Sequence, residues 1–192
     1  MSATPKTALS KPRRMQPGPR AQRIAEILRV DHAGEYGAVA IYRGQHAAFR
    51  AVPHKMRTAA MIKEMEEGEA EHLETFDRLL LERGMRPSLL SPLWNGAGFA
   101  LGAVTALIGE KTAMAATEAV ETVIEEHYAA QADELGDTDP DLAETLMRFR
   151  DEELAHKETA QDAGASDAPL HGVLSAIIAA GCRIAIKVAE KV

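Results

Sequence analysis

Cysteine occurs once in the 192 residues, at Cys182. That scarcity excludes an internal disulfide, a Cys-x-x-Cys zinc ribbon and a cysteine-held iron–sulfur centre. Its surroundings, AAGCRIAI, read as packed helix, so Cys182 is expected to be a small buried hydrophobe rather than a nucleophile. A reducing, cytosol-facing location fits. Aromatic residues make up only 4% of the chain and do not interleave with basic ones, so there is no stacking platform for nucleic acid. A formal charge of −7 argues against that partner on electrostatic grounds. No alternating β-branched run appears, which leaves nothing to build a sheet. Nor is there a Gly-x-Gly-x-x-Gly site or flavin domain, so electrons for any redox chemistry must come from outside the helices.

What is abundant is Ala, Leu, Glu, Met and Arg, and the expectation is an all-α fold in one domain. The Pro-rich head KTALSKPRRMQPGPRAQR lacks the apolar core of a secretory signal and reads as a disordered basic arm over 1–19. Helical spacing then runs from about 20 to 50, with Ile24, Ile27, Leu28, Ala38, Ile41 and Tyr42 on one stripe, and again from about 54 to 83, where Gly84 stops it. The segment 94–109 carries no charge but falls short of the approximately 20 residues that span a bilayer, so it is expected to be an embedded crossover or an interfacial segment. Its glycines would also allow close helix packing. An amphipathic pattern resumes at EKTAMAATEAVETVIEEHY. Thr138 or Asp139 with Pro140 then marks the start of a helix over about 140–163. The last helix, within 169–191, is apolar almost all round and needs a protein groove or a membrane face to cover it.

Two strings stand out, EGEAEHLETF and RDEELAHKE. Each sets a Glu three residues before a His, Glu69 with His72 and Glu153 with His156, and no other histidine has this arrangement. On a helix such a pair shares a face and can chelate one point. Each is preceded at near-equal distance by a Glu beside small residues, Glu35 in HAGEYGA and Glu121 after Ala119 and Val120. The chain therefore repeats itself, as Glu, Glu-x-x-His, Glu, Glu-x-x-His. Four carboxylates and two imidazoles converging in a helical bundle form the donor set of ferritin-like di-iron and di-manganese proteins. The carboxylates neutralise two divalent ions, and His favours first-row transition metals over calcium or magnesium. An inward acid at Glu35 is costly unless paired or metal-bound. Glu71, Glu125, Glu126 and Glu152 point to other sides of their helices and are placed outside the metal shell. His127 is expected to lie just behind the ligands, to line an entrance or to face solvent, and Tyr128 to be an ordinary core residue or to pack near the metals.

The strings LRVDHAGEYGA, AVETVIEEHY, FRDEELAHK and AGCRIAIKVAEKV resemble the demethoxyubiquinone hydroxylase family of ubiquinone biosynthesis over about 22–192. The resemblance implies a ferritin-like four-helix bundle and a membrane-associated di-iron monooxygenase. Its two Fe ions would be held by Glu35, Glu69, His72, Glu121, Glu153 and His156, through which catalysis would run. It implies dioxygen as co-substrate, NADH as reductant, and hydroxylation of a polyprenyl quinone ring, one oxygen atom entering the ring and the other leaving as water. As partners it implies that quinone and the membrane surface, and it admits an auxiliary lipid-binding protein and a homo-oligomer. The implied location is peripheral, on the cytoplasmic face of a bacterial inner membrane or the matrix face of the mitochondrial one. Two other readings compete: an iron- or peroxide-handling relative of ferritin or rubrerythrin, and a non-enzymatic membrane-peripheral scaffold whose Glu and His are surface charge.

Overall fold

The computed structural model describes residues 18–191. The basic arm lies outside them except for Gly18 and Pro19, and Pro19 already opens the first helix. Six helices follow, with no strand among the described residues: α1 (Pro19–Phe49), α2 (Met56–Glu82), α3 (Ser91–Ile108), α4 (Glu110–Leu135), α5 (Pro140–Asp162) and α6 (His171–Ala189). Helix ends follow local chemistry. Gly84 takes φ +63°, and the bonds from its N–H to Leu81 O and from Met85 N–H to Leu80 O close a Schellman turn after α2. Asp139 caps α5 by accepting from Leu142 N–H at 3.3 Å, with Pro140 in the first turn as the sequence indicates.

Helices α1 and α2 form one antiparallel pair and α4 and α5 another, and the passage through α3 is the long crossover between them. The internal repeat extends beyond these pairs. Helix α3 folds back onto α1, and α6 folds back onto α4, so each half is a pair of charged helices plus one apolar helix. In the first half the contact is backbone to backbone. A Cβ on Gly102 would lie 1.9 Å from Ile41 O, and one on Gly98 would lie 2.5 Å from Gly37 O. Of the glycines read as packing residues in the apolar run, Gly98 and Gly102 serve that purpose while Gly96 and Gly109 have open space beside them, and the run is a full helix.

Two apolar layers fill the bundle. Ile27, Leu28, Phe76, Leu80, Leu142 and Leu146 belong to one, and Phe49, Ala59, Ile62, Met65, Ala113 and Ala160 to the other. On every one of the four long helices the expected site residues fall between these layers. A ring of acids is thereby held in a water-poor midsection, where any charge not offset by another is expensive.

The apolar helices remain largely uncovered. Only Ile178 and Ala189 of α6 are buried, and Phe99, Val104, Leu107 and Ile108 on α3 and Val173, Ile177 and Ile184 on α6 are exposed. Helix α6 is the one helix among the described residues long and apolar enough to cross a membrane by length and composition. Cys182 is half-buried on this helix, at the wall of a cavity, rather than fully packed in the core.

Candidate metal centre

Glu35, Glu69, Glu121, Glu153 and His72 are each no more than 1% exposed, and His156 is half-buried. The reading of these residues as surface charge on a scaffold is thereby excluded. All six converge. Glu35, Glu69, His72 and Glu153 form one group whose donor atoms lie within 4.8 Å of one another, and Glu69, Glu121, Glu153 and His156 form a second. Glu69 and Glu153 belong to both.

The hydrogen bonding sorts the carboxylates in the same way. Tyr128 on α4 donates to Glu35 Oε1 on α1, and Tyr42 on α1 donates to Glu121 Oε1 on α4. Each of these glutamates thus has one oxygen anchored and one, Oε2, without a hydrogen-bond partner. Glu69 and Glu153 leave both oxygens unpartnered, as do His72 and His156 their Nδ1 atoms. Buried polar atoms are normally satisfied, so a cluster of unpartnered oxygens and nitrogens aimed at one centre fits a metal-binding site. Two glutamates with one free oxygen suit terminal ligation, and two with both oxygens free suit bridging between two ions.

The imidazoles are oriented by their surroundings. His72 Nδ1 lies 3.1 Å from Glu153 Oε1, while its Nε2 lies 2.6 Å from Glu152 Oε2 and Phe149 stacks on the ring at 4.0 Å between centroids. His156 Nδ1 lies 2.9 Å from Glu69 Oε1, and its Nε2 faces Gly68, where an added Cβ would approach to 3.3 Å. Gly68 and Glu152 are the residues directly before Glu69 and Glu153, so the repeat places an acid behind one histidine and bare backbone behind the other.

Without metal the cluster balances its charge with protons. Burial, and then the neighbouring Glu69, push the Glu35 carboxyl well up, and burial followed by Glu153 and Glu69 does the same to Glu121. Burial works to raise Glu69 as well, but its contacts with His156 and His72 outweigh that and hold it low. Both imidazoles are pushed up against the desolvation that opposes them, His72 by Glu153, Glu35 and Glu69, and His156 to about 10 by Glu153 and Glu69. Burial, with Glu121 and Glu35 as neighbours, also raises Tyr42 and Tyr128, which keeps both phenols as donors.

Several residues here escape a reading of the Glu-x-x-His motifs. Tyr42 and Tyr128 stand seven residues after Glu35 and Glu121, and Gln45 and Gln131 ten after. These shared offsets are a signal in the sequence that marks them. Glu152, expected on another side of its helix from the ligands, lies 2.6 Å from His72 Nε2. His127 is partly buried and does not join the cluster: it sits 3.4 Å from the buried Asp31.

Beside the centre lies an apolar cavity of about 260 Å³ between α1, α3, α4 and α6. Its walls include Gly34 and Val120, the residues directly before Glu35 and Glu121, together with Gly37, Trp94, Ile124 and Cys182.

An all-α bundle of this topology, with four buried carboxylates and two imidazoles at its midsection, is a ferritin-like carboxylate bundle. Within that class the family is specific. The model of the family described as "Ubiquinone biosynthesis protein COQ7" matches residues 22–189. The chain is 48% identical to the 3-demethoxyubiquinol 3-hydroxylase of Rhodospirillum rubrum, over 88% of this chain and 78% of that one. It is 46% identical to the mitochondrial NADPH-dependent 3-demethoxyubiquinone 3-hydroxylase of Homo sapiens, over 88% and 77%. To the mitochondrial 5-demethoxyubiquinone hydroxylase of Saccharomyces cerevisiae it is 40% identical, over 88% and 78%. The chain belongs to the COQ7 family.

Proposed function

We propose that the chain is a di-iron monooxygenase that hydroxylates the ring of a polyprenyl demethoxy-benzoquinol with dioxygen, in ubiquinone biosynthesis. The observation that carries this reading is the set of unpartnered carboxylate and imidazole atoms beside an apolar cavity, in a chain whose relatives are named as demethoxyubiquinone or demethoxyubiquinol hydroxylases. Glu35, Glu69, His72, Glu121, Glu153 and His156 would hold two iron ions, Glu69 and Glu153 being the carboxylates common to both donor groups. When bound, the ions supply the redox chemistry with dioxygen that no side chain here can provide.

The chain's own residues do the rest. Tyr42 and Tyr128 fix the terminal glutamates by one oxygen each. Phe149 and the two apolar layers keep water from the midsection, which strengthens every electrostatic interaction inside it. The cavity takes the quinol ring against Gly34 and Val120, where small side chains let it approach Glu35 and Glu121. One oxygen atom enters the ring and the other leaves as water. The electrons come from a reduced nicotinamide. The resemblance pointed to NADH, whereas the names of the human and Dictyostelium discoideum relatives carry NADPH.

A polyprenyl substrate resides in the bilayer, and the exposed apolar faces of α3 and α6 fit an enzyme that lies on that surface. Arg183 on α6 bonds Glu126 on α4 at 3.0 Å, which favours a helix lying along the bundle over one crossing the membrane. The location proposed is peripheral, at the bacterial inner membrane or the matrix side of the mitochondrial one. The test is turnover of iron-loaded protein in detergent with a demethoxy-quinone, reduced nicotinamide and isotopically labelled dioxygen. A hydroxylated ring carrying the label is expected. A protein holding two irons that yields no labelled product would refute the assignment, as failure to float with liposomes would refute the membrane face.

A further inference from the structure

The repeat supplies an internal control for what the site requires. Four residues before Glu35 stands Asp31, and four before Glu121 stands Thr117. Gln45 Nε2 donates to Thr117 Oγ1 at 3.2 Å, while its counterpart Gln131 donates from Nε2 to Asp31 Oδ1 at 2.9 Å and lies 2.9 Å from His127 Nε2. The position related to His127 is Ile41. Of the two related corners, each built between α1 and α4, one is therefore made from Thr, Gln and Ile and the other from Asp, Gln and His. The fold evidently does not need a buried acid here, yet Asp31 is 2% exposed, and one of its oxygens has no partner. Uncompensated burial of that kind is costly, and a functional role accounts for its retention.

We infer that Asp31, His127 and Gln131 form a proton-entry port serving the Glu35 and His72 end of the centre, and that the end carrying Glu121 and His156 has none. The inference rests on the monooxygenase reading above. A ring C–H, dioxygen, one reduced nicotinamide and one solvent proton give a ring C–OH, water and oxidised nicotinamide, so each turnover takes one proton from bulk water. His127 is the outer member, with its side chain 18% exposed, and Asp31 the inner one, fully enclosed 3.4 Å away. From Asp31 the next turn of α1 is Glu35 with its Tyr128 donor, and Tyr128 follows His127 directly on α4.

The other charged groups bearing on the pair are few. Arg23 on α1 acts on Asp31 from a distance, but it is held by Glu26, Glu134 and Glu190. Glu134 on α4 feels His127, and His32, the residue after Asp31, is engaged by Asp77 of α2 at 2.9 Å. Burial, opposed by His127 and Gln131, raises the Asp31 carboxyl above its ordinary value, which suits a group that holds a proton and passes it on.

The experiment compares iron-loaded wild type with Asp31→Thr, which installs the other half's own residue, and with the isosteric Asp31→Asn. Infrared spectra of resting enzyme should show a carboxylic-acid band above about pH 5, where an ordinary aspartate is ionised, and both variants should lack it. Both should keep their iron, hydroxylate about 10²-fold more slowly, the low end of what a positioned proton donor contributes, release peroxide in place of product, and show a larger solvent isotope effect. Thr117→Ser, at the related position, should do none of this. Asp31→Asn with wild-type rate, pH profile and coupling would overturn the port, as would loss of iron in proportion to loss of activity. A wild type that holds iron and makes no product would overturn the monooxygenase reading and the port together, whereas a competent wild type with an indifferent Asp31→Asn overturns the port alone.

Discussion

Tyr128 on α4 donates its hydroxyl to Glu35 on α1, and seven residues into α1 from that glutamate Tyr42 returns the same bond to Glu121 on α4. The two halves of the repeat are thereby cross-linked at the point where each presents its lone glutamate.

Tyr128→Phe keeps the ring that packs with Phe76 and Phe149 but leaves a buried carboxylate oxygen unpaired. The expected cost in metal-free protein is about 1–3 kcal/mol. Iron should recover part of it by drawing Glu35 into ligation. Thermal melts of the variant with and without iron check this, and the gap between wild type and variant should narrow on loading.

Iron stoichiometry should separate shared from terminal ligands. Glu153→Ala removes a carboxylate common to both donor groups and should abolish metal binding, with the helical circular dichroism retained. His156→Ala removes a ligand from one group only and should lower the content toward about one iron per chain while sparing the other ion. His72→Ala should act on the other end, with loss of hydroxylation in every case. Equal stoichiometry in Glu153→Ala and His156→Ala would refute the sharing.

Metal uptake should release protons. In metal-free protein His72 and His156 hold protons at neutral pH, because their pKa values are raised, that of His156 to about 10, and burial keeps protons on Glu35 and Glu121 above the ordinary carboxylate range. Bound divalent ions displace these protons, so affinity falls as pH drops and climbs with pH up to about 10. Calorimetry of ferrous or cobalt binding in buffers of different ionisation enthalpy counts them directly.

Gly102→Ala tests the close contact of α3 with α1. Its Cβ would fall 1.9 Å from Ile41 O, a rigid backbone atom, so the helices must part. A loss at the upper end of about 1–3 kcal/mol is expected, with iron content little changed, since no ligand lies on α3. Denaturant titration reads the first and metal analysis the second.

Glu69, His72, Glu153 and His156 were legible because Glu-x-x-His is a local pattern and helix geometry makes it a chelate, and Glu35 and Glu121 because each precedes its motif at near-equal distance. The end of α2 and the start of α5 were legible from Gly84 and from Asp139 with Pro140, whose backbone preferences act within a turn. Residues that meet only across the bundle were not. Nothing within a turn of Tyr42 marks it as the partner of Glu121, and Glu152 looks like any solvated acid until α5 is set against His72. Asp31 and His127 are 3.4 Å apart only because α1 and α4 cross there. The offsets of seven and ten residues after each lone glutamate carry this information, but they become visible only when the halves are aligned with each other.

The exchanged tyrosines also bear on how such a chain could arise. A polypeptide half this long, with one lone Glu, one Glu-x-x-His and one Tyr, would have neither an acceptor for its phenol nor a second chelate arm of its own. Both would be found in another copy of itself, as a two-fold dimer with identical ends. Joining the copies in one chain frees each end to change independently, and the differences between Gly68 and Glu152, and between Thr117 and Asp31, are changes that a symmetric ancestor could not have held.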